Sequence, residues 1–441
     1  MKKEEFNNFI KNKIIYLDGA TGSNLMKRGM PAGVCPESWI LEHPDVMRGL
    51  QEEYIEAGSN IIYAPTFTAN RIKLAEYGLA DRIKEINEQL VTISKEASKG
   101  RALVAADLTM TGQQLAPIGT MKFDDLITVY KEQITYLVGA GVDLIVVETM
   151  MSLQETRAAV IAAKEVCDLP ILVSMTFEKN GKTLFGTPIG TAAIVLEHLG
   201  VSAFGANCST GPMDMSHIIN DMSQYCSIPI IGKPNAGMPE LGNDGMTHYK
   251  MDADTFGMEM NTLVEVGASI LGGCCGSTPL HIEKLCENTS ALKILNERKV
   301  DQVYITSERT STILNDLTVI GDKISPAVTE ELTEDLLDGF FDTVYDLAEE
   351  QEEDGAQALL VSFEMDGIDE EAMLLQGIDE IFSVVNLPLI LKSGSIEILE
   401  KAVRIYPGRA AICIDDFLEE DICALQAIVQ KYGAIIMKSN K

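Results

Sequence analysis

Along residues 1–290, short unbroken apolar runs alternate with segments whose apolar residues recur at spacings of three and four. The runs are Ile14–Leu17, Asn60–Ala64, Ala102–Ala106, Asp143–Val147, Pro170–Met175, Ala203–Ala206, Pro229–Gly232 and Ser269–Gly272. They are rich in β-branched residues and lack the polar–apolar alternation of a half-exposed strand. That predicts parallel strands buried on both faces. The segments between them predict amphipathic helices, clearest at Asp124–Gly139 and Ser152–Val166. Alternating strand and helix predicts an α/β fold with a parallel sheet. Eight such units in under 300 residues predict a closed (β/α)8 TIM barrel. An open doubly wound sheet is disfavoured, because no G-x-G-x-x-G follows the first run.

The pattern divides the chain into a barrel over 1–290, a linker over 291–300 that begins as a helix, and a smaller α/β domain over 301–441. In the last, strands are expected at Ala358–Ser362, Leu387–Leu391, Ala410–Ile414 and Ala434–Met437. Helices are expected at Glu330–Glu353, Glu370–Val384, Ile396–Ile405 and Leu418–Tyr432. Four or five units cannot close a second eight-stranded barrel, so a partial one is expected.

Composition narrows the partners. The net charge of −31 argues against nucleic acid and against an anionic membrane surface. No run of 18 apolar residues is present, so no transmembrane helix is expected. The N-terminus, Met1-Lys-Lys-Glu-Glu-Phe6, is charged and has no apolar core, unlike a signal peptide. The nine cysteines are odd in number and scattered. That is cytoplasmic usage, in which metal binding or catalysis is expected rather than a disulfide framework.

In a (β/α)8 barrel the chemistry gathers where the strands end. Here those ends read Asp18-Gly-Ala-Thr-Gly22, Pro65-Thr-Phe-Thr-Ala-Asn70, Asp107-Leu-Thr-Met-Thr-Gly112, Glu148-Thr149, Thr176-Phe177, Asn207-Cys208, Lys233-Pro-Asn-Ala-Gly237 and Cys274-Cys275-Gly276. Cys208 on the sixth strand and the Cys274–Cys275 pair on the eighth share one rim. Three thiolates with no evident fourth ligand predict a zinc (Zn2+) site with an open position. A soft substrate thiol suits that position, and bound there it would ionise at neutral pH. A closed structural site with His281 as fourth ligand is the alternative. Asp18 and Glu148 on the same rim are expected to hold the ammonium of an amino-acid substrate. Backbone N–H groups of the loops at Gly19–Gly22 and Thr111–Gly112 are expected to hold its carboxylate. Phe67 reads equally as a pocket wall or a packing residue.

Together these stretches resemble the homocysteine S-methyltransferase family, which includes the homocysteine module of cobalamin-dependent methionine synthase. The resemblance rests on Leu17-Asp-Gly-Ala-Thr-Gly22, Ala64-Pro-Thr-Phe67, Glu148-Thr-Met150, Gly205-Ala-Asn-Cys208 and Gly272-Gly-Cys-Cys-Gly276, within residues 10–290. It implies that Cys208, Cys274 and Cys275 bind zinc and that Asp18 and Glu148 hold the amino group of homocysteine. Thr66 and Asn207 are carried over more weakly as substrate-site residues. The product it implies is methionine.

Val303-Tyr-Ile-Thr-Ser-Glu-Arg-Thr310 resembles the opening of the pterin-binding module that follows in methionine synthase. The acids and amides expected of a pterin site are replaced by Val361-Ser-Phe-Glu-Met365 and Lys392-Ser393. A lysine cannot accept a hydrogen bond from a pteridine edge. This half is therefore not expected to bind methyltetrahydrofolate in the usual way. Docking a partner, completing a homodimer and covering the first barrel are its three open roles. No cobalamin-binding D-x-H-x-x-G is present, so the expected donor is methylcobalamin carried on a separate corrinoid protein. The alternatives are S-methylmethionine, betaine or methyltetrahydrofolate as donor, a different acceptor thiol, or a non-catalytic subunit of a methyltransferase complex.

Overall fold

The computed structural model describes residues 1–242, 247–295 and 298–438. The chain divides into two compact units, residues 1–185 with 201–299 and residues 186–200 with 300–441.

In the first unit, strands β1 (Ile15–Tyr16), β2 (Ile61–Tyr63), β3 (Leu103–Leu108), β4 (Leu144–Met150), β5 (Ile171–Met175), β6 (Ala203–Asn207) and β7 (Ile230–Lys233) follow in order. A hairpin of β8 (Pro239–Leu241) and β9 (Thr247–Tyr249) precedes β10 (Ala268–Leu271). Eight of these strands form one parallel sheet in the order β1-β10-β7-β6-β5-β4-β3-β2. The sheet closes on itself: Leu17 bridges Ile61, and the Asn60 N–H donates to the Tyr16 carbonyl at 2.7 Å. All eight apolar runs therefore become barrel strands, as their unbroken hydrophobicity requires.

The lower barrel is filled by Ile15, Ile61, Ala105, Leu144, Val146, Leu172, Ala203, Ile231 and Ile270. The helix Lys3–Ile10 adds Phe6 and Ile10 to the same cluster, closing the end opposite the rim. The helix Pro279–Thr289 ends the unit's regular structure. Residues 291–295 and 298–300 form no helix, unlike the expectation, and 296–297 lie outside the described residues. Arg298 explains the irregular path. Its guanidinium donates to the carbonyls of Cys226 (3.1 Å), Gly267 (2.6 Å) and Ile228 (2.5 Å), fixing the segment by its side chain.

The second unit opens with an antiparallel hairpin, β11 (Tyr304–Thr306) and β12 (Ser311–Ile313). A five-stranded parallel sheet follows, with β13 (Ile320–Ile324), β14 (Ala358–Ser362), β15 (Leu389–Lys392), β16 (Ala411–Cys413) and β17 (Ile435–Met437) in sequential order. The hairpin and β13 carry mixed polar and apolar residues, which hid them from the hydrophobic pattern. Ile305, Ala358, Ile390, Ala411 and Cys413 form this unit's core. The helix expected over 330–353 is two helices, Glu330–Asp338 and Asp342–Glu353. Gly339 separates them at φ +79°, the left-handed conformation that ends a helix. The helix Ile189–Leu199 follows β5 in sequence but groups with this unit, where it packs on β11 and on the helix Glu419–Tyr432.

Candidate functional site

The rim brings the three predicted thiols together. The sulfurs of Cys208, Cys274 and Cys275 all lie within 4.8 Å of one another, each half-buried. They form the one such cluster of histidines, cysteines and acids among the described residues. Cys208 and Ser209 adopt φ values of +64° and +61°. Non-glycine residues rarely adopt that conformation, and it persists only where the surroundings enforce it.

The enforcement comes from the loop after β7. The Cys208 N–H donates to the Lys233 carbonyl (3.2 Å), and the Asn235 N–H to the Thr210 carbonyl (2.9 Å). On its other side this loop receives the Cys274 N–H at the Pro234 carbonyl (2.7 Å) and donates Ala236 N–H to the Cys275 carbonyl (3.0 Å). It thus stitches the two cysteine loops together.

Asn207 adds a second brace and is almost fully buried. Its carbonyl oxygen accepts from the Thr149 N–H (3.0 Å) and the Ser174 hydroxyl (2.9 Å). Its amide donates to Thr149 Oγ1 (2.8 Å) and to Cys274 Sγ (3.7 Å). Asn207 therefore serves the sulfur cluster directly. Tyr249, on β9, hydrogen-bonds Cys275. Gly276, at φ +82°, makes room for Tyr249, since a Cβ there would lie 2.4 Å from Tyr249 Cβ.

His281 does not join the thiols. Its Nε2 bonds the Met251 carbonyl (3.1 Å), and its Nδ1 bonds Thr278 Oγ1 (2.9 Å) at a helix start. Cys35, Cys167, Cys226, Cys286, Cys413 and Cys423 also lie outside the cluster.

Three sulfurs with a gap between them suit a thiophilic cation, zinc above all. Their protons are held tightly in its absence. Cys208 is pushed up to about 12, first by its hydrogen bond with Cys274 and then by burial, against the opposing bond with Cys275. Cys274 is also pushed up to about 12: its bond with Cys208 lowers it, but the bond with Cys275 and burial outweigh that. Crowded thiols of this kind give up their protons more readily when a metal cation lies among them.

Beside the sulfurs lies a cluster of buried charged groups. Asp18 receives the Tyr63 N–H on Oδ2 at 2.8 Å. Burial pushes its carboxyl up to about 7, against the pull of the Lys233 ammonium. Lys233, at the end of β7, places Nζ 2.9 Å from Glu148 Oε2, 3.8 Å from Asp18 Oδ1 and 4.0 Å from the centre of the Tyr63 ring. Burial works to strip its proton, but Glu148, Tyr63 and Asp18 outweigh it and hold the ammonium charged. Asp107 completes the group. Burial, then the charge of Glu148, pushes it well above the ordinary carboxylate range.

Lys233 was the part missed by sequence reasoning. Its signal was a charged residue ending an otherwise buried strand. Of the remaining expected residues, Phe67 is half-buried on the rim. Thr66 is fully buried and its hydroxyl is spent on the Asp107 carbonyl (2.9 Å), where it ties β2 to β3. Gly19 allows close packing, since a Cβ there would meet the Tyr54 hydroxyl at 2.7 Å. Thr111 N–H is committed to Glu155 Oε1 at 2.6 Å.

A homocysteine S-methyltransferase family model matches residues 15–289. Methionine synthase of Mycobacterium tuberculosis (strain ATCC 25618 / H37Rv) is 26% identical over 458 residues, covering 97% of this chain and 38% of that protein. Methionine synthase of Mycobacterium leprae (strain TN) is 27% identical over 470 residues, with the same coverage. The chain thus spans well under half the length of these curated relatives. Among solved structures, the metallated homocysteine methyltransferase MmuM of Escherichia coli superposes with a TM-score of 0.55 at 20% identity, over 64% of this chain and 98% of that one. The oxidized form of the same enzyme gives 0.54. The superposition supports the barrel fold, and the matched segment spans the whole barrel with its three-thiol rim: the chain belongs to the homocysteine S-methyltransferase family.

Proposed function

We propose that this protein transfers a methyl group to the thiol of homocysteine, giving methionine, with zinc held by Cys208, Cys274 and Cys275. The carrying observation is the cluster of three sulfurs within 4.8 Å at the barrel mouth. The family match and the methionine synthase relatives support homocysteine as the acceptor. When bound, the zinc supplies a positive charge that lowers the pKa of an acceptor thiol.

The chain's own residues supply position and charge. Asn207 and the loop after β7 hold the cysteine sulfurs at one point. Asp18 and Glu148 give the pocket its negative side, suited to an amino group. The Gly19–Gly22 loop carries N–H groups suited to its carboxylate. Phe67 forms part of the wall. In the transfer, the acceptor sulfur forms the new bond to carbon and the donor leaves with the old bonding pair.

The donor we favour is a methylated corrinoid protein. The second unit offers little to a pterin: Lys392 is paired with Asp416 at 3.0 Å, and Phe363 is buried edge-on against Phe341. The test is methionine formation by zinc-loaded protein and homocysteine with each donor in turn. A methylated corrinoid protein is expected to give product, and methyltetrahydrofolate none. Product only with S-methylmethionine or betaine would reassign the donor. No product with any donor would favour a non-catalytic subunit.

A further inference from the structure

An uninterrupted acidic stretch lies in the second unit. Between Lys323 and Lys392 there are 19 Asp and Glu residues and no lysine, arginine or histidine. That is more than half of the net charge of −31. The helices Glu330–Asp338, Asp342–Glu353 and Glu370–Val384 fill much of it, and none has a basic residue in its last turn. Acids at a helix C-terminus oppose the helix dipole, so this charge does not serve the fold.

Two large apolar side chains stand in its midst: Leu337 is 52% exposed and Phe340 57%. Phe340 N–H reaches back to the Asp335 carbonyl (2.8 Å) and Gly339 N–H to the Leu336 carbonyl (3.2 Å), the paired bonds of a Schellman ending. Such an ending commonly packs the residue in Phe340's place against the one in Asp335's. Here that neighbour is a carboxylate, bonded to the Thr343 N–H (2.9 Å), so the ring gains no apolar partner from it. Leu337 lies against the loop after β14, since a Cβ on Gly367 would meet its Cδ2 at 3.0 Å. That loop adds the half-buried Met365 and Ile368. Glu334 and Asp338 on the helix and Glu364 and Asp366 on the loop are exposed and form no ion pair among the described residues.

Charge complementarity names the occupant. An apolar patch flanked by unpaired carboxylates repels nucleic acid and anionic membranes, and a second copy of this chain would bring the same charge. None of the four apolar residues lies in a strand, so an extended chain finds no edge there to pair with. We propose that this patch docks a basic amphipathic helix of a partner protein. Apolar side chains one turn apart on that helix seat on Leu337 and Phe340, and its lysines or arginines face the flanking acids. The proposal is independent of the thiol site.

The test is fluorescence anisotropy of a labelled amphipathic leucine–lysine peptide titrated with the full chain. A scrambled peptide of the same composition, which has no apolar face, is the comparison. The amphipathic peptide is expected to bind about tenfold more tightly than the scrambled one. Phe340→Ser should weaken the amphipathic peptide by about tenfold and leave the scrambled one within roughly twofold. Asp338→Lys, which keeps the ring, should weaken both. A thermal melt reports whether each variant is folded.

Equal binding of the two peptides would mean that bulk charge alone is at work, and the docking site would be withdrawn. The same follows if neither peptide binds, or if Phe340→Ser leaves the amphipathic peptide unaffected. Sedimentation of the chain by itself covers the other occupant: a dimer that is lost in Phe340→Ser would assign the face to a second copy and overturn the basic partner.

Discussion

Asn207 Nδ2 donates to Cys274 Sγ at 3.7 Å while the same side chain accepts the Thr149 N–H. One buried amide thus links the ends of β4 and β6 to a sulfur on the loop after β10. Thr149 itself sits at φ +59°, so this contact also fixes an uncommon backbone turn beside Glu148.

Removing that amide should be felt in both stability and metal affinity. Asn207→Ala leaves a buried N–H and two hydroxyls without their partner, at a cost of about 2–3 kcal/mol. Loss of a group that orients a metal ligand typically weakens binding by about 10–100-fold. Denaturant titration and a chelator competition for zinc would check the two effects separately.

The thiol cluster makes a sharper prediction about stoichiometry. Cys208→Ala should abolish tight zinc binding, since two sulfurs cannot enclose the ion. Cys286→Ala should keep it, because Cys286 lies outside the cluster, close against Gly58. Metal analysis after gel filtration decides. Full zinc content in Cys208→Ala would remove the metal-site assignment.

Gly276 is open to a single-atom test. Gly276→Ala puts a Cβ 2.4 Å from Tyr249 at a φ of +82°. Backbone strain alone costs about 1–3 kcal/mol, and the hairpin must shift to relieve the overlap. A lower melting temperature is expected, together with a changed fluorescence or ultraviolet titration of tyrosine as Tyr249 leaves Cys275.

The raised carboxyl of Asp18 has a defined consequence for pH. Its folded-state value of about 7 lies above the ordinary 3.8, so the folded protein holds this proton more tightly than the unfolded chain. Stability from this group is fully present below pH 3.8 and is lost as pH rises to about 7. The loss is at most roughly 4 kcal/mol. Asp18→Asn cannot titrate and its carbonyl can still accept the Tyr63 N–H. Its stability relative to wild type should therefore increase across that window and level off above it. Chemical denaturation of the substrate-free protein at a series of pH values would measure this, and parallel curves for the two proteins would refute it.

Much of the barrel was legible in the chain because burial on both faces leaves a local signature. Val146, Leu172, Ile231 and Ile270 lie in apolar runs whose only stable setting is the interior of a parallel sheet. Cys208, Cys274 and Cys275 were legible for a related reason: each ends such a run, and barrel closure brings the ends of the sixth and eighth strands near one another. The hairpin carrying Tyr249 gave no such signal, since its first strand is exposed and its second nearly so.

What the sequence determined by itself was therefore the order of strands, the rim to which each loop belongs, and the chemical types gathered there. Tertiary structure alone decided how those groups meet. The left-handed turn at Cys208 depends on hydrogen bonds from the loop after β7, and His281 is turned away by Thr278 and Met251. Lys233 becomes the counter-ion of Glu148 only because β7 and β4 face each other across the closed barrel. Periodicity records which side of an element is buried. It does not record which side chain, 85 positions away, will be waiting there.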